Sequence, residues 1–253
     1  MPKQKKLLKL TDSNYYDLAS DLQYFSVSQY KSFMQCEAAT MAYLRGEYQR
    51  ENTTALLVGS YVDAWVEGTI QEFIYEHHDE IYTKQGKLRA EFVKADEIIH
   101  KIHGDDLFRK FLSGEKQKII TFKEFGANWK IKMDSYIPEV CIADLKTARD
   151  IKGLPKWRYD YQGAIYQRGV EKKTKKKLPF YLAVATKEDI VELGIFQIPQ
   201  STLDLALEEV AEAMPHLIEV KAGKIEPTRC EECDYCKRTR KTVVRNYNEL
   251  LES

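Results

Sequence analysis

A mixed α/β (α+β) fold, a central sheet flanked by helices, is what this sequence predicts, on three observations. Up to about residue 112 the apolar residues recur at helical spacing. From 117 the period drops to two, and a later helical stretch separates further strand candidates. No internal repeat or low-complexity linker interrupts the 253 residues, so one domain, 1–253, is expected. It divides into an N-terminal extension (1–25), a core (26–220) and a cysteine-rich basic tail (221–253).

The first helix follows the phrase YFSVS. Ser28 can cap it, and Tyr30, Phe33, Met34, Ala38, Met41 and Ala42 make its apolar stripe, with Cys36 inside it. A second helix, Thr54 to about Tyr75, carries Leu57, Val58, Tyr61, Trp65 and Phe73; a third runs from Ala90 to Leu112 and stops near Ser113–Gly114. Residues 117–147 then alternate as strands: Ile120 and Phe122, then Trp129, Ile131 and Met133, then Val140, Ile142 and Asp144, with Pro138–Glu139 as a turn. A helix from about Trp157 to Lys172 follows, then strands at 179–186 and 189–198. The last helix starts at Ser201, with Asp204 as a capping-box variant, and runs towards Val220; Pro215 should kink or end it.

Composition excludes several classes. The apolar content of 43% supports a real core, yet no stretch approaches the roughly 20 apolar residues of a membrane span. The start, MPKQKKLLKL, lacks the apolar region of a secretory signal, so a cytoplasmic protein with no membrane partner is expected. Zero net charge argues against a uniformly basic nucleic-acid coat. Local basic patches remain, at Lys3, Lys5, Lys6 and Lys9, at EKKTKKK (171–177), and at Lys237, Arg238, Arg240, Lys241 and Arg245; taken singly, each reads as solvated surface. No Gly-rich phosphate loop is present, so no ATP-driven motor is encoded. His77, His78, His100, His103 and His216 match no ligand pattern.

The chemistry gathers at VCIADLKTARD (140–150). An acidic residue, any residue, then lysine occurs at Asp144, Asp150, Glu171 and Glu219, so the spacing alone says little. Asp144 and Lys146 differ because they end an apolar strand. If its hairpin pairs symmetrically about Glu139, Asp134 faces Asp144 on one side of the sheet. Facing carboxylates beside a lysine suit a hard divalent ion such as Mg²⁺; the plain alternative is a surface hairpin with an inconsequential ion pair. Gln162 and Tyr166 stand one helical turn apart downstream, and Gly59 and Asp63 likewise upstream, with Glu67 a turn further on. Three of the five cysteines lie in CEECDYC (230–236), a packing that suits metal ligation better than a disulfide framework; Cys36 is a candidate fourth ligand, and Cys141 reads as a core residue.

In order, SVSQYKSFMQC, GSYVD, the Met133–Asp134 strand end, ADLKTA and QGAIY resemble the motif series of the PD-(D/E)xK nucleases. The resemblance covers about Ser26 to Cys236 and is strongest to the RecB-like branch, which includes phage exonucleases of the RecE type and nucleases of CRISPR adaptation. It implies a restriction-endonuclease-like core whose N-terminal helix and cysteine-containing tail are joined. Asp134, Asp144 and the carbonyl of Leu145 would bind Mg²⁺ or Mn²⁺, and Lys146 would be the catalytic lysine. Gln162 and Tyr166 would organise the site and touch DNA. Asp63 takes a position where many relatives carry histidine, with Glu67 as its rival.

Cys36, Cys230, Cys233 and Cys236 would hold a [4Fe–4S] cluster, with Zn²⁺ as the alternative. Two departures stand out: Glu37 replaces the expected proline, and the last cysteine gap is short. Arg158, beside Trp157, and Lys237 and Arg238 are the further DNA-contact candidates. The implied function is a metal-dependent DNA exonuclease that resects linear double-stranded DNA from its ends. It would act in phage-type recombination, with a single-strand annealing partner, in a bacterial or phage-infected cell. The alternatives are a CRISPR-adaptation-type trimming nuclease or an inactive DNA-binding module of the same fold. Relatives that encircle DNA make a homo-oligomer an expectation by resemblance.

Overall fold

A computed structural model describes residues 7–49, 53–244 and 246–247; the basic positions Lys3, Lys5, Lys6 and Arg245 lie outside them. The N-terminal extension holds a short helix, α1 (Leu18–Gln23). The first expected helix is two: α2 (Val27–Gln35) and α3 (Glu37–Leu44). Ser26, rather than Ser28, caps α2, its hydroxyl accepting from the Gln29 amide at 3.2 Å. Cys36 sits at the break in extended conformation (φ −165°), so its thiol stands at a helix start instead of on a helix face.

The second expected helix also divides. α4 (Thr54–Glu67) ends at Gly68, whose φ of +83° is the left-handed stop that favours glycine, and α5 (Ile70–Glu76) and α6 (His78–Ile81) follow. The third divides at Gly104 into α7 (Ala90–His103) and α8 (Asp106–Phe111).

β1 (Lys118–Glu124) and β2 (Ala127–Met133) form an antiparallel hairpin through Phe125 (φ 49°) and Gly126 (φ 75°), the two-residue positive-φ loop that matches strand twist. A second sheet has the order β3-β4-β5-β6, from β3 (Ser135–Ile137), β4 (Cys141–Ala148), β5 (Phe180–Thr186) and β6 (Leu193–Gln197). Only β4 and β5 are parallel, and α9 (Tyr159–Thr174) makes the crossover between them.

One apolar cluster joins Ile142, Phe180, Leu182 and Val184 to α2, to α9 and to α10 (Gln200–Lys221). The other joins Leu145, Ala183 and Ala185 to α4 and α7. β4 is thus covered on both sides, which is why CIADL reads as a nearly continuous apolar run. Val140 precedes this strand and is 58% exposed.

Four further expectations need correction. The crossover helix begins at Tyr159: residues 154–157 form a 3₁₀ turn, and Arg158 (φ 47°) redirects the chain. The last strand is shorter than 189–198, starting at Leu193. α10 starts at Gln200 behind Pro199 without a capping box; Asp204 instead accepts from Lys177 and Gln200. Pro215 neither ends nor splits it, because Met214, Leu217 and Val220 hold both halves in the core while Pro215 faces solvent. α11 (Asp234–Thr239) closes the tail. Among the described residues no helix is long and apolar enough to cross a membrane.

A buried lysine and a half-buried one pin the N-terminal extension. Lys130 of β2 donates to Tyr15 O (2.5 Å), Ser20 Oγ (2.7 Å) and Asp21 Oδ1 (2.6 Å). Lys221 of α10 donates to Asp21 O (2.7 Å), Tyr24 O (2.8 Å) and Gln29 Oε1 (2.7 Å). Lys130→Met strands the Asp21 carboxylate and should cost about 3–5 kcal/mol. Urea unfolding should show this as a lower midpoint with an unchanged slope.

Candidate functional site

The β3–β4 hairpin pairs Ser135 with Ala143, Tyr136 with Ile142 and Ile137 with Cys141, so it is symmetric about Glu139. That register sets Asp134 across from Asp144. The Asp134 Oδ2 accepts from the Leu145 amide at 2.9 Å, locking the two segments at the level of the acidic pair. Asp144 is 1% exposed. Its Oδ1 accepts from the Gln162 side-chain amide at 2.7 Å, and its Oδ2 is held by the Lys146 ammonium. Lys146 also donates to the carbonyl of Leu145 at 3.1 Å.

Gln162 reaches Asp144 because α9 lies very close to the sheet. A Cβ on Gly163 would stand 2.7 Å from both Leu203 and Phe180 side-chain atoms. On the other side, α4 rests on β4 at Gly59, where a Cβ would be 3.2 Å from Thr147 Oγ1. That approach brings Asp63 to the same centre.

Electrostatics define the centre further. Burial pushes Asp63 well above the usual carboxylate range, and Asp134 adds to the effect. Burial also pushes Asp144 up to about 7, the Lys146 ammonium opposing and Asp134 reinforcing the shift. For Lys146, burial disfavours the charge, but Asp144, Asp134 and Asp63 outweigh it and hold the ammonium protonated. Glu67 is raised as well, first by burial. Asp63, Asp134 and Asp144 crowd against one ammonium, Lys146, and such a surplus of carboxylates is a donor set that fits a divalent cation.

A pH dependence follows. Asp63 and Asp144 bind protons more tightly folded than unfolded, so without metal the folded state carries more protons. Their contribution to stability is lost as pH rises from the ordinary carboxylate range towards about 7. A cation relieves the same repulsion without protons. Mg²⁺ or Mn²⁺ should therefore raise the melting temperature more at pH 8 than at pH 6; equal shifts would count against these carboxylates as ligands.

Tyr166 stays beside the centre: it is buried, its hydroxyl donates to Lys132 O at 2.8 Å, bracing the strand before Asp134, and Gln162, Asp144 and Asp134 lie around it. The Arg158 guanidinium pairs with Asp160 (2.8 Å) and Glu209 (2.7 Å) and lies over the Tyr161 ring. Trp157 is exposed, and Lys237 and Arg238 lie on the surface of α11.

Other residues at the centre escaped sequence reasoning. Gln117 donates to Glu67 (2.5 Å) and, more weakly, to Asp134 (3.5 Å). The Tyr16 ring faces solvent, while Asp134, Asp63 and Glu67 help burial to push its hydroxyl up to about 12. The Tyr159 ring lies 5.5 Å from Lys146 Nζ and 5.2 Å from Lys31 Nζ.

The cysteines form a second centre. The thiols of Cys36, Cys230, Cys233 and Cys236 all lie within 4.8 Å of one another, the one such compact His/Cys/Asp/Glu group among the described residues. Cys36 Sγ is 3.6 Å from Cys236 Sγ, and Cys230 Sγ is 3.9 Å from it. All four are free thiols. Backbone amides of Glu232 and Cys233 bring the Cys230 thiol down to about 6, whereas burial raises Cys233 to about 12. Cys141 is apart from them, buried in β4.

Residues 26–239 match a family model described as a PDDEXK-like domain of unknown function (DUF3799). The crystal structure of a candidate exonuclease from Eubacterium rectale resembles this fold with a TM-score of 0.93 and 42% identity, covering 96% of this chain and 98% of that one. The structure of SSO0001 aligns over 79% of this chain and 90% of its own at 17% identity, with a TM-score of 0.33, too low to bear on the fold. No curated protein sequence matches significantly.

Proposed function

The chain belongs to the PDDEXK-like family DUF3799, and from that premise we propose that it is a metal-dependent deoxyribonuclease, an exonuclease that degrades linear double-stranded DNA from its ends. The observation that carries this reading is the convergence of Asp134, Asp144, Lys146 and Gln162 at the polar end of one buried strand. Asp63, Asp134, Asp144 and the Leu145 carbonyl would hold Mg²⁺ or Mn²⁺, which when bound supplies Lewis-acid polarisation of the phosphate and a more acidic water.

The chain's own residues set the rest. Gln162 fixes the Asp144 carboxylate by its Oδ1, while Oδ2 faces the Lys146 ammonium. Lys146, kept protonated by three carboxylates, offers positive charge where negative charge develops on the phosphate. Tyr166 holds the Lys132 carbonyl and so the approach to Asp134. The cysteine centre would hold a [4Fe–4S] cluster, or Zn²⁺, and tie the tail to the start of α3. Lys237 and Arg238, beside it, would meet DNA phosphates. A role in phage-type recombination, a single-strand annealing partner and a homo-oligomeric ring extend this reading from the resemblance alone.

The test uses linear and circular duplexes of one sequence, end-labelled where linear, with Mg²⁺, Mn²⁺ or EDTA. Metal-dependent loss of the linear form alone is expected. Cleavage of the circle would make the enzyme an endonuclease, and binding of intact linear DNA in Mn²⁺ would make it an inactive module.

A further inference from the structure

A cavity of about 480 Å³ opens beside Tyr159, whose ring also approaches Lys146. Its floor continues the sheet face that carries Asp144: Leu182 is the register partner of Asp144 on β5, and Phe196 that of Leu182 on β6. Leu154 and Pro155 form one wall, and exposed Thr202 of α10 stands at the rim. Tyr159 belongs to both places, lining the cavity while its ring stands between the Lys146 and Lys31 ammoniums. It is turned there by the non-glycine left-handed conformation of Arg158 (φ 47°), the kind of local strain kept where a site needs it.

We propose that this cavity is a nucleobase subsite, which receives the unstacked base of the nucleotide next to the scissile phosphate. The assignment rests on the nuclease reading. A phosphate held between Lys31, Lys146 and the carboxylate centre places the attached base within reach of the Tyr159 ring and the apolar floor. The charged groups in the lining, Arg158 and Asp160, are spent on each other, with Glu209 a second partner for the guanidinium. The subsite therefore offers stacking surface without hydrogen-bond reading, and it accepts any base, as suits an enzyme that advances through arbitrary sequence. Extracting a base costs least at a duplex end, so the cavity also favours ends over interior positions.

Thr202→Trp fills the cavity from its exposed rim without touching Asp144 or Lys146. Binding is read by fluorescence anisotropy in an Asp144→Asn background, which stops hydrolysis. The probe is a DNA hairpin labelled in its loop and open at one end, with the terminal nucleotides made abasic one at a time. On intact DNA, Thr202→Trp should weaken binding about tenfold. The weakening should vanish when one particular nucleotide lacks its base, as a coupled pair requires. Phe196→Ala, which removes a wall instead of filling the space, should show the same coupling and serves if the tryptophan variant fails to fold. Unchanged affinity in both variants, or a weakening that persists whichever base is missing, overturns the assignment. The nuclease reading fails separately, if wild-type protein binds linear DNA in Mn²⁺ but leaves it whole.

Discussion

Asp144→Asn should lower the rate of DNA hydrolysis by at least about a hundredfold while leaving the metal-free protein as stable as the parent. The two halves of this result have one cause. Asp144 is buried, and burial pushes its carboxyl up to about 7, so without a cation the fold disfavours the charged form and tolerates a neutral amide. Asparagine keeps an oxygen for the Gln162 amide and fills the same volume. It removes the charge that would bind a divalent ion, so the melting temperature of the variant should no longer respond to Mg²⁺ or Mn²⁺ as the parent's does.

Lys146→Ala makes the contrast. It should also abolish hydrolysis, but it removes the ammonium that faces Asp144, Asp134 and Asp63, so above about pH 7, where Asp144 is ionised in the parent, the variant should melt below the parent. Activity is measured on linear duplex and stability by thermal melting in EDTA and in Mg²⁺. Near-parental hydrolysis by Asp144→Asn would remove Asp144 from the chemistry.

The sequence was most legible where signals are local. The switch from helical to alternating spacing near residue 117 marks the start of the strands, since period depends only on which neighbours share a face. The symmetry of the Asp134–Asp144 hairpin could be read from the turn at Glu139 for the same reason. Helix breaks at Cys36, Gly68 and Gly104 were lost because the apolar stripe runs on across each of them. Pro215 misled in the other direction: a local rule against helix yielded to burial on both sides of it.

At the site, the ordered motifs located Asp134, Asp144, Lys146 and Gln162 but not Gln117, Tyr16, Lys31 or Tyr159. Gln117, Tyr16 and Lys31 come from segments that no spacing rule links to β4, whereas Tyr159 precedes Gln162 by one turn of α9. Arg158 shows a converse limit. A cation beside an aromatic in the sequence suggests a nucleic-acid contact, whereas the fold supplies it with two internal carboxylates.

Cys236→Ser should release the tail and lower the melting temperature by about 10 °C or more. Cys236 is fully buried at the middle of the thiol group, close to Cys36 and Cys230, so no other side chain can take its ligand position. The tail's apolar contact with α3 is confined to the cysteines, Ala38, Ala39 and Tyr235. Among the described residues the Tyr235 ring also meets Tyr48, with centroids 5.4 Å apart. The polar links are few: Ala38 N to Thr228 O at 3.0 Å, and Thr228 N to Glu37 Oε2 at 2.8 Å.

A structural metal centre adds its binding energy to folding, and here that energy would join residue 36 to residues 230–236 across the whole core. The two clusters that pack on the sheet contain none of the four cysteines, which form a small cluster of their own with Ala38 and Ala39, so the variant should keep its sheet and become sensitive to protease between α10 and α11. Metal analysis and visible absorbance of protein prepared without oxygen then separate the two cofactors. Four irons and a brown colour lost in Cys236→Ser identify the cluster, whereas one zinc and no colour identify the alternative. A variant that melts with the parent and keeps a protected tail would mean that the thiols only pack together, because a ligand set that carries folding energy cannot lose a buried member silently.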